Sequence, residues 1–339
     1  MAVTQEQVAI KAGVSRSAVS QVINNRHGNR ISEEMYASIL KVAEELGYQP
    51  HAIGRSLVTN KAYTIGLALY SFDYIKVGYF AAIIGGMEKV LGRKDYNLQV
   101  CITDKQPVKE SRNLYFMKKV KSLCVDGLII VDQAVEDKDI LELKNTGVPF
   151  ILVDREIQGE ELNYVLVDNT AGMFEATEYL IKSGHRRIGF MLEKQTPRFY
   201  KDIEMLKGYK LALHKWGLNY DENLIGEPPS LCETSKIIDG LLKLSSPPTA
   251  LLFAADKAAV HSYRIIKKKG LRIPEDIAII GYDDEDFDIV VEPQLSSVHV
   301  PLSEIGEIAT DMLLNIIEGE QVKPCKRVLS PKLIIRESS

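Results

Sequence analysis

Residues 4–24 read TQEQVAIKAGVSRSAVSQVIN, and this stretch decides the fold of the N-terminal part of the chain. Thr4 and Gln7 have the spacing of a capping box, in which two side chains satisfy free backbone N–H groups at a helix start. Gly13 stands where a tight turn needs an unhindered backbone, and Ser15 can cap a second helix. The pattern predicts a helix-turn-helix.

A third amphipathic helix is predicted to run from the cap Ser32 to Gly47. Glu33 and Glu34 lie in its first turn, where the helix dipole favours anionic side chains. Three short helices in succession make one small all-α module, which we place at residues 1–48. Modules of this kind bind DNA or dock proteins, and the helix spacing leaves both interpretations open.

The polar side of the second helix carries residue types that read DNA bases. Arg16 can donate two hydrogen bonds to guanine and Gln21 can do the same to adenine, with Ser17 beside them. We expect these three side chains to contact bases, although a solvated helix face is the alternative for each. Four other polar residues are predicted phosphate contacts: Thr4, Ser15, Ser20 and Asn24.

Charge is distributed unevenly along the chain. The 339 residues include 42 Lys and Arg and 46 Asp and Glu, which gives a net charge of −4. Residues 1–61 hold seven basic and five acidic side chains, so the negative excess lies entirely in the rest. A mildly basic head on an acidic body favours an anionic partner for the head.

Other function classes find little support in the sequence. The four cysteines have no metal-ligand spacing, and we expect free thiols in a reducing compartment. No catalytic or nucleotide-binding signature such as GxSxG, HExxH or GxxxxGK[ST] occurs. There is neither a signal peptide nor an apolar run of membrane-spanning length. The sequence therefore predicts a soluble, cytoplasmic, non-enzymatic protein without a metal or other cofactor.

From residue 63 onward, short apolar runs alternate with helical patterns. Eight runs are predicted strands: 64–69, 98–102, 127–131, 150–153, 164–167, 188–192, 250–254 and 277–282. Continuous apolar strands separated by helices are typical of doubly wound α/β folds, whose parallel sheets are covered on both faces. This stretch of alternating strands and helices is too long for one small sheet, so two lobes are expected.

Carboxylates follow several of these strands. In open parallel sheets, ligands bind beyond the carboxyl ends of the strands. Carboxylates there accept hydrogen bonds from adjacent ligand hydroxyls. The acidic residues at such positions are Asp132, Asp154, Asp168, Asp256 and Asp283. Any of them can instead cap the following helix, a role open to Asp168 and Asp256.

Residues 4–15 and 18–24, with 45–50 leading into 55–57, resemble the head of the lac repressor family of transcriptional regulators. The resemblance extends over essentially the whole chain. Ala18 and Gln21 stand where the family usually has Thr and Arg, so the operator bases can differ from the common ones.

The resemblance also gives residues 49–61 a role. It implies a hinge helix that orders on DNA, with Arg55 and Leu57 at the minor groove, where an apolar wedge bends the duplex. The segment is too short to be a stable helix unaided, and Gly54 weakens it. A plain interdomain linker is the other interpretation.

For residues 62–339 the resemblance implies a periplasmic-binding-protein-like body. Its N-terminal lobe would comprise 62–164 and 294–324, and its C-terminal lobe 165–293 and 325–339. The matching positions place six effector-binding residues in the cleft between the lobes: Tyr79, Phe80, Asp154, Met205, Ala255 and Asp283.

Two of these positions depart from the family pattern. Met205 replaces the usual Arg and Ala255 the usual Asn, so a charged fork and an amide are missing. Arg198, with Phe199 and Tyr200, is a candidate substitute cation and stacking surface, although an exposed loop is the alternative interpretation. The ligand class therefore stays open between a sugar, a sugar derivative and, as in some relatives, a phosphorylated protein docking outside the cleft.

Together these features predict a homodimeric transcriptional regulator, a repressor, that binds a palindromic double-stranded DNA operator under control of a small-molecule effector. Two alternatives remain at this point. One is the same regulator controlled by a partner protein, and the other is a cytoplasmic ligand-binding protein without a DNA role.

Overall fold

The structure, a computed structural model, describes residues 3–23, 31–48, 61–69, 78–103, 125–131, 135–192, 200–228, 230–321 and 323–339. The contacts divide the chain into two compact units, and the division falls between Tyr63 and Thr64. No helix in the described part of the chain is long and apolar enough to cross a membrane.

The N-terminal unit contains the three predicted helices: α1 (Gln5–Ala12), α2 (Arg16–Ile23) and α3 (Glu33–Glu45). The capping box is present, because the backbone N–H of Gln7 donates to Thr4 Oγ1 and that of Thr4 to Gln7 Oε1. Gly13 ends α1 with a φ of 67°, which glycine adopts without strain. Apolar side chains from all three helices form a small core: Val8, Ala9, Val19, Val22, Ile39 and Ala43.

The second unit is built on two six-stranded sheets, each of which defines a lobe. In spatial order, the sheet of the N-terminal lobe contains β11 (Lys326–Leu329), β5 (Tyr164–Val167), β4 (Phe150–Val153), β3 (Gly127–Val131), β1 (Thr64–Leu69) and β2 (Asn97–Ile102). The sheet of the C-terminal lobe contains β12 (Lys332–Ile334), β10 (Ser296–His299), β9 (Ala278–Asp283), β8 (Ala250–Phe253), β6 (Ile188–Met191) and β7 (Ile225–Gly226).

Seven described helices accompany the sheets: α4 (Gly78–Lys94), α5 (Asp137–Lys144), α6 (Asn169–Lys182), α7 (Tyr200–Lys215), α8 (Thr234–Leu242), α9 (Asp256–Lys268) and α10 (Leu302–Glu318). Helix α4 packs on α10, and α6 packs on α7. Gly86 and Gly306 allow the backbones of α4 and α10 to approach closely, because a Cβ at either position would overlap a carbonyl oxygen of the other helix.

All eight predicted strands are confirmed, and their observed ends differ from the predicted ones by at most one residue. The strands outside these eight runs are β7, β10, β11 and β12. The prediction of parallel sheets is confirmed, and one edge pair differs, because β12 pairs antiparallel with β10.

The resemblance implies that the chain crosses between the lobes near residues 165, 293 and 325, and the strand pairing refines these positions. Strand β5 pairs with β4 and β10 pairs with β9, so the chain leaves each sheet only after Val167 and His299. The final crossing follows Leu329, because β11 pairs with β5. Each crossing thus occurs a few residues later, after a strand has completed its hydrogen bonds.

Candidate functional sites

The outer face of α2 carries the three side chains that were predicted to contact bases. Arg16 and Ser17 are exposed, and Gln21 is half-buried with its Nε2 3.4 Å from Ser17 Oγ. Val19 and Val22 lie in the core on the opposite side. The three polar residues therefore share one accessible surface at the start and middle of the helix.

The predicted phosphate contacts have structural roles as well. Thr4 caps α1, and Ser15 Oγ accepts a hydrogen bond from the backbone N–H of Ala18 at the start of α2. Ser20 is half-buried on α2. Asn24, like Arg55 and Leu57 of the predicted hinge, lies outside the described residues.

In the body, Asp154 and Asp283 stand at the carboxyl ends of β4 and β9, in different lobes. Both are buried, with exposed fractions of 3% and 5%. Both also have positive φ angles, 53° and 110°, which non-glycine residues rarely adopt and which concentrate at functional sites. A rare backbone conformation is therefore a second feature that these two strand-end carboxylates share.

A chain of hydrogen bonds links these two strand ends. Tyr79 on α4 donates its hydroxyl proton to Asp154 Oδ2 over 2.9 Å. The Asn169 Nδ2 amide, at the first turn of α6, donates to Asp154 Oδ1 over 3.3 Å, and Asn169 Oδ1 accepts from the Tyr282 hydroxyl at 2.9 Å. Asn169 thus joins a carboxylate of one lobe to a residue adjacent to Asp283 in the other.

Lys201 on α7 supplies a cation at this site. Its Nζ lies 2.8 Å from Asp283 Oδ1. The same ammonium lies 5.4 Å from the ring centroid of Tyr79 and 5.1 Å from that of Tyr282, within the range of cation–π attraction. Lys201 therefore contacts residues of both lobes.

Burial controls the electrostatics of the two carboxylates. It raises the pKa of Asp154, while the Lys201 charge and the hydrogen bonds from Tyr79 and Asn169 partly oppose the rise. Burial likewise raises the pKa of Asp283, to about 8, against the opposing effect of Lys201. Removal of water thus outweighs a cation close to both groups, as expected for buried carboxylates.

The remaining predicted effector residues take no part in the hydrogen bonds around Asp154 and Asp283 that are described above. Phe80 packs edge-on against Tyr79, with ring centroids 4.9 Å apart. Met205 is fully buried in α7 and offers no surface to a ligand. Ala255 is the N-cap residue of α9 and is half-buried. Arg198 lies outside the described residues.

Other strand-end residues serve the framework. Asp168 caps α6 as expected, since its side chain accepts from the backbone N–H of Ala171. Asp256 does not take the capping role that was open to it, because α9 begins at Asp256 itself and the Ser297 hydroxyl donates a hydrogen bond to its side chain. Asp132 lies outside the described residues.

Sequence reasoning missed Asn169 and Lys201. Asn169 follows Asp168, the last residue before α6, so its position beyond a strand end was a usable signal. Lys201 precedes Met205 by four residues on α7, and residues at that spacing share a helix face. The cation missing at position 205 is thus found one turn earlier.

Both parts of the chain are similar to known protein families. Residues 4–51 match the family described as bacterial regulatory proteins, lacI family, and residues 177–339 match a periplasmic binding protein-like domain. The sequence is 32% identical to the ribose operon repressor of Haemophilus influenzae over 99% of this chain and 98% of the other. The chain belongs to the lacI family of bacterial regulatory proteins.

Solved structures agree with the two-part architecture of this lacI-family chain. A complex of the transcriptional regulator CelR with cellobiose is 28% identical, with a TM-score of 0.74 and coverage of 99% of this chain and 100% of the other. The lac repressor dimer bound to operator and the anti-inducer ONPF has a TM-score of 0.84, covers 100% and 99%, and at 24% identity shows the common fold.

Proposed function

We propose that this chain is a cytoplasmic transcriptional repressor that binds a palindromic DNA operator as a homodimer, controlled by a small molecule in the interlobe cleft. The head would be residues 1–48, the hinge 49–61, and the effector-binding and dimerisation body 62–339. The observation that carries this proposal is the accessible Arg16, Ser17 and Gln21 surface on the second helix of a capped helix-turn-helix.

The chemistry of that surface suits a major groove. A guanidinium forms two parallel hydrogen bonds with guanine O6 and N7, and a carboxamide forms two with adenine N6 and N7. A homodimer presents two copies of α2 related by a twofold axis, which matches an inverted repeat. Selecting bound fragments from genomic DNA with the purified protein should therefore recover an inverted repeat. Recovery of no enriched sequence would contradict the proposal.

Arg16→Ala is expected to weaken binding to the selected operator by roughly 1–3 kcal/mol and to relax the preference at one base pair of each half-site. The reason is that alanine removes both hydrogen bonds to one guanine but leaves the helix intact. Binding to a library with each base pair varied in turn measures both effects.

Lys41→Ala is the matched control for this prediction. Lys41 is an exposed cation on α3, so its removal changes the charge of the head equally without altering the surface of α2. It should leave base preference unchanged. If Arg16→Ala lowers affinity equally for all sequences, Arg16 contacts a phosphate instead of a base.

The cleft suits a hydroxyl-rich ligand. Asp154 and Asp283 are acceptors that project from opposite lobes, and carboxylates bind adjacent hydroxyl pairs well. Tyr79, Phe80 and Tyr282 supply aromatic surface around them. The relative solved with cellobiose supports a carbohydrate or carbohydrate derivative as the effector.

Asp283→Ala is expected to abolish the response of operator affinity to the effector while the ligand-free variant still binds the operator. The substitution removes a carboxylate from the cleft, whereas the DNA-contacting surface lies in the separate N-terminal unit. Operator affinity would be measured with and without each member of a panel of sugars and sugar derivatives.

Asp286→Ala provides the control, because Asp286 is an exposed carboxylate three residues away. It should respond as the native protein does. If Asp283→Ala also keeps its full response, the cleft is not the effector site, and control by a protein docking outside it becomes the better interpretation.

A further inference from the structure

Lys201 occupies an unusual place in the cleft. Lys201 lies on α7 and pairs with Asp283, the last residue of a strand of the C-terminal lobe. Its ammonium also faces the ring of Tyr79 in the N-terminal lobe. Its side chain is only 17% exposed. A lysine ordinarily keeps its ammonium in water, so this burial needs compensating contacts.

We propose that Lys201 is a positioning residue for the effector site: its ammonium holds the two lobes together by lying between Asp283 of one lobe and the Tyr79–Asp154 pair of the other.

Two other contacts close by join the lobes in the same structure. The Tyr200 hydroxyl, from the residue preceding Lys201, lies 3.3 Å from Glu156 Oε2 in the loop after β4. The Glu285 carboxylate accepts a hydrogen bond from the backbone N–H of Gly78 at the start of α4. A Cβ at position 78 would fit only if the end of the Glu285 side chain shifted.

The closed arrangement brings carboxylates of both lobes into a region with little water. Burial raises the pKa of Asp154, Asp283 and Glu285, so each loses more from desolvation than its partners restore. The charge of Lys201 acts against that rise at all three groups. Without this cation, Asp154 would keep only the uncharged donors Tyr79 and Asn169, and closure would bury like charges with less compensation, which is unfavourable.

A consequence for the effector follows, and this part rests on the proposed function. A ligand that binds Asp283 must share or replace the Lys201 contact, which hydroxyl or ammonium donors can do. A carboxylate or phosphate would add negative charge beside three acidic groups. The acidic surroundings, which Lys201 neutralises only in part, thus disfavour an acidic ligand.

The test measures the separation of the lobes directly in the full-length protein without ligand. An azide-bearing unnatural amino acid would replace exposed Gln158 and Lys257, so that spin labels can be attached without using the cysteines. The labels would report the distance between the loop after β4 and the start of α9. Dilution with unlabelled protein leaves at most one labelled protomer in a homodimer.

The native protein is expected to give one narrow distance distribution, and Lys201→Met a broader one shifted to longer distances. Lys201→Arg keeps the charge and should restore the native distribution. Lys207→Met, which removes an exposed cation of α7 paired with Glu204, should match the native protein. Thermal melting would confirm that each variant is folded.

A native distribution in folded Lys201→Met would overturn the inference, as would equal broadening in Lys207→Met. The distances do not depend on operator binding, so the two proposals can fail separately. Failure to select an operator would reject the proposed function while leaving the closure result intact.

Discussion

Gly86→Ala is expected to destabilise the body by about 3 kcal/mol and to lower its melting temperature by roughly 6–12 °C. The added Cβ would overlap the carbonyl oxygen of Ser303 and lie 2.8 Å from its carbonyl carbon. The overlapped atoms are backbone of α10, so no side chain can rotate away, and α4 and α10 must separate. Thermal unfolding followed by circular dichroism measures the loss.

Gly85→Ala is the neighbouring control on the same helix. Gly85 is exposed, and a Cβ there would meet no atom within 4 Å. Alanine should therefore stabilise α4 slightly, by about 0.5–1 kcal/mol, because glycine loses more backbone entropy in a helix. Equal stability of the two variants would mean that α4 and α10 do not pack at Gly86 as described.

The fold could be predicted from the sequence wherever buried segments form continuous apolar runs. Strand β1 is apolar over nearly its whole length because the sheet is covered on both faces, and such runs can be recognised without tertiary information. Strand β10 could not be recognised in this way. Its Ser296 and Ser297 are fully buried but polar, and their burial depends on partners distant in sequence, Ser338 and Asp256.

The candidate sites show the same division. Asp154 and Asp283 could be predicted, because carboxyl ends of parallel strands meet at one edge of a sheet. The contact of Lys201 with Asp283 joins residues 82 positions apart, and nothing near Lys201 in the sequence indicates it. The Met at position 205 indicated that the usual cation of the cleft is absent there. Only the packing of α7 shows that Lys201 places a cation in the cleft instead.

A second large effect is expected at the buried carboxyl groups of Asp256 and Asp288. Both side chains are fully buried, and their carboxyl groups act on each other's pKa. No donor among the described residues reaches the two carboxylate oxygens of Asp288, so burial favours a proton on one member of the pair. Asp256 also accepts bonds from the Ser297 hydroxyl at 2.6 Å and the Glu285 N–H at 3.1 Å, so the protonated partner is Asp288. The pair anchors the loop that follows Asp283 to the start of α9.

Burial and the negative charge of Asp256 raise the pKa of Asp288 to about 9, with Arg336 opposing. In the unfolded chain an aspartate has a pKa of about 3.9. Between these values the folded protein retains a proton that the unfolded chain has released. The contribution of Asp288 to stability is therefore full below about pH 4 and is lost progressively as the pH rises through about 9.

Asp288→Asn should remove this pH dependence, because the amide N–H can donate to Asp256 at every pH. We expect the free energy of unfolding to change less between pH 5 and pH 8 than in the native protein, by at least about 1.4 kcal/mol, the equivalent of one pKa unit. Urea denaturation at a series of pH values gives these free energies.

The native slope will not vanish completely in this variant, because Asp283 has a raised pKa of its own and titrates in the same direction. The informative quantity is thus the difference between variants. Asp286→Asn removes an exposed carboxyl from the same loop and should keep the native slope. If the unfolding free energy of Asp288→Asn has the same pH dependence as that of Asp286→Asn, then Asp288 is ionised in the folded protein. Its contact with Asp256 would then not depend on a shared proton.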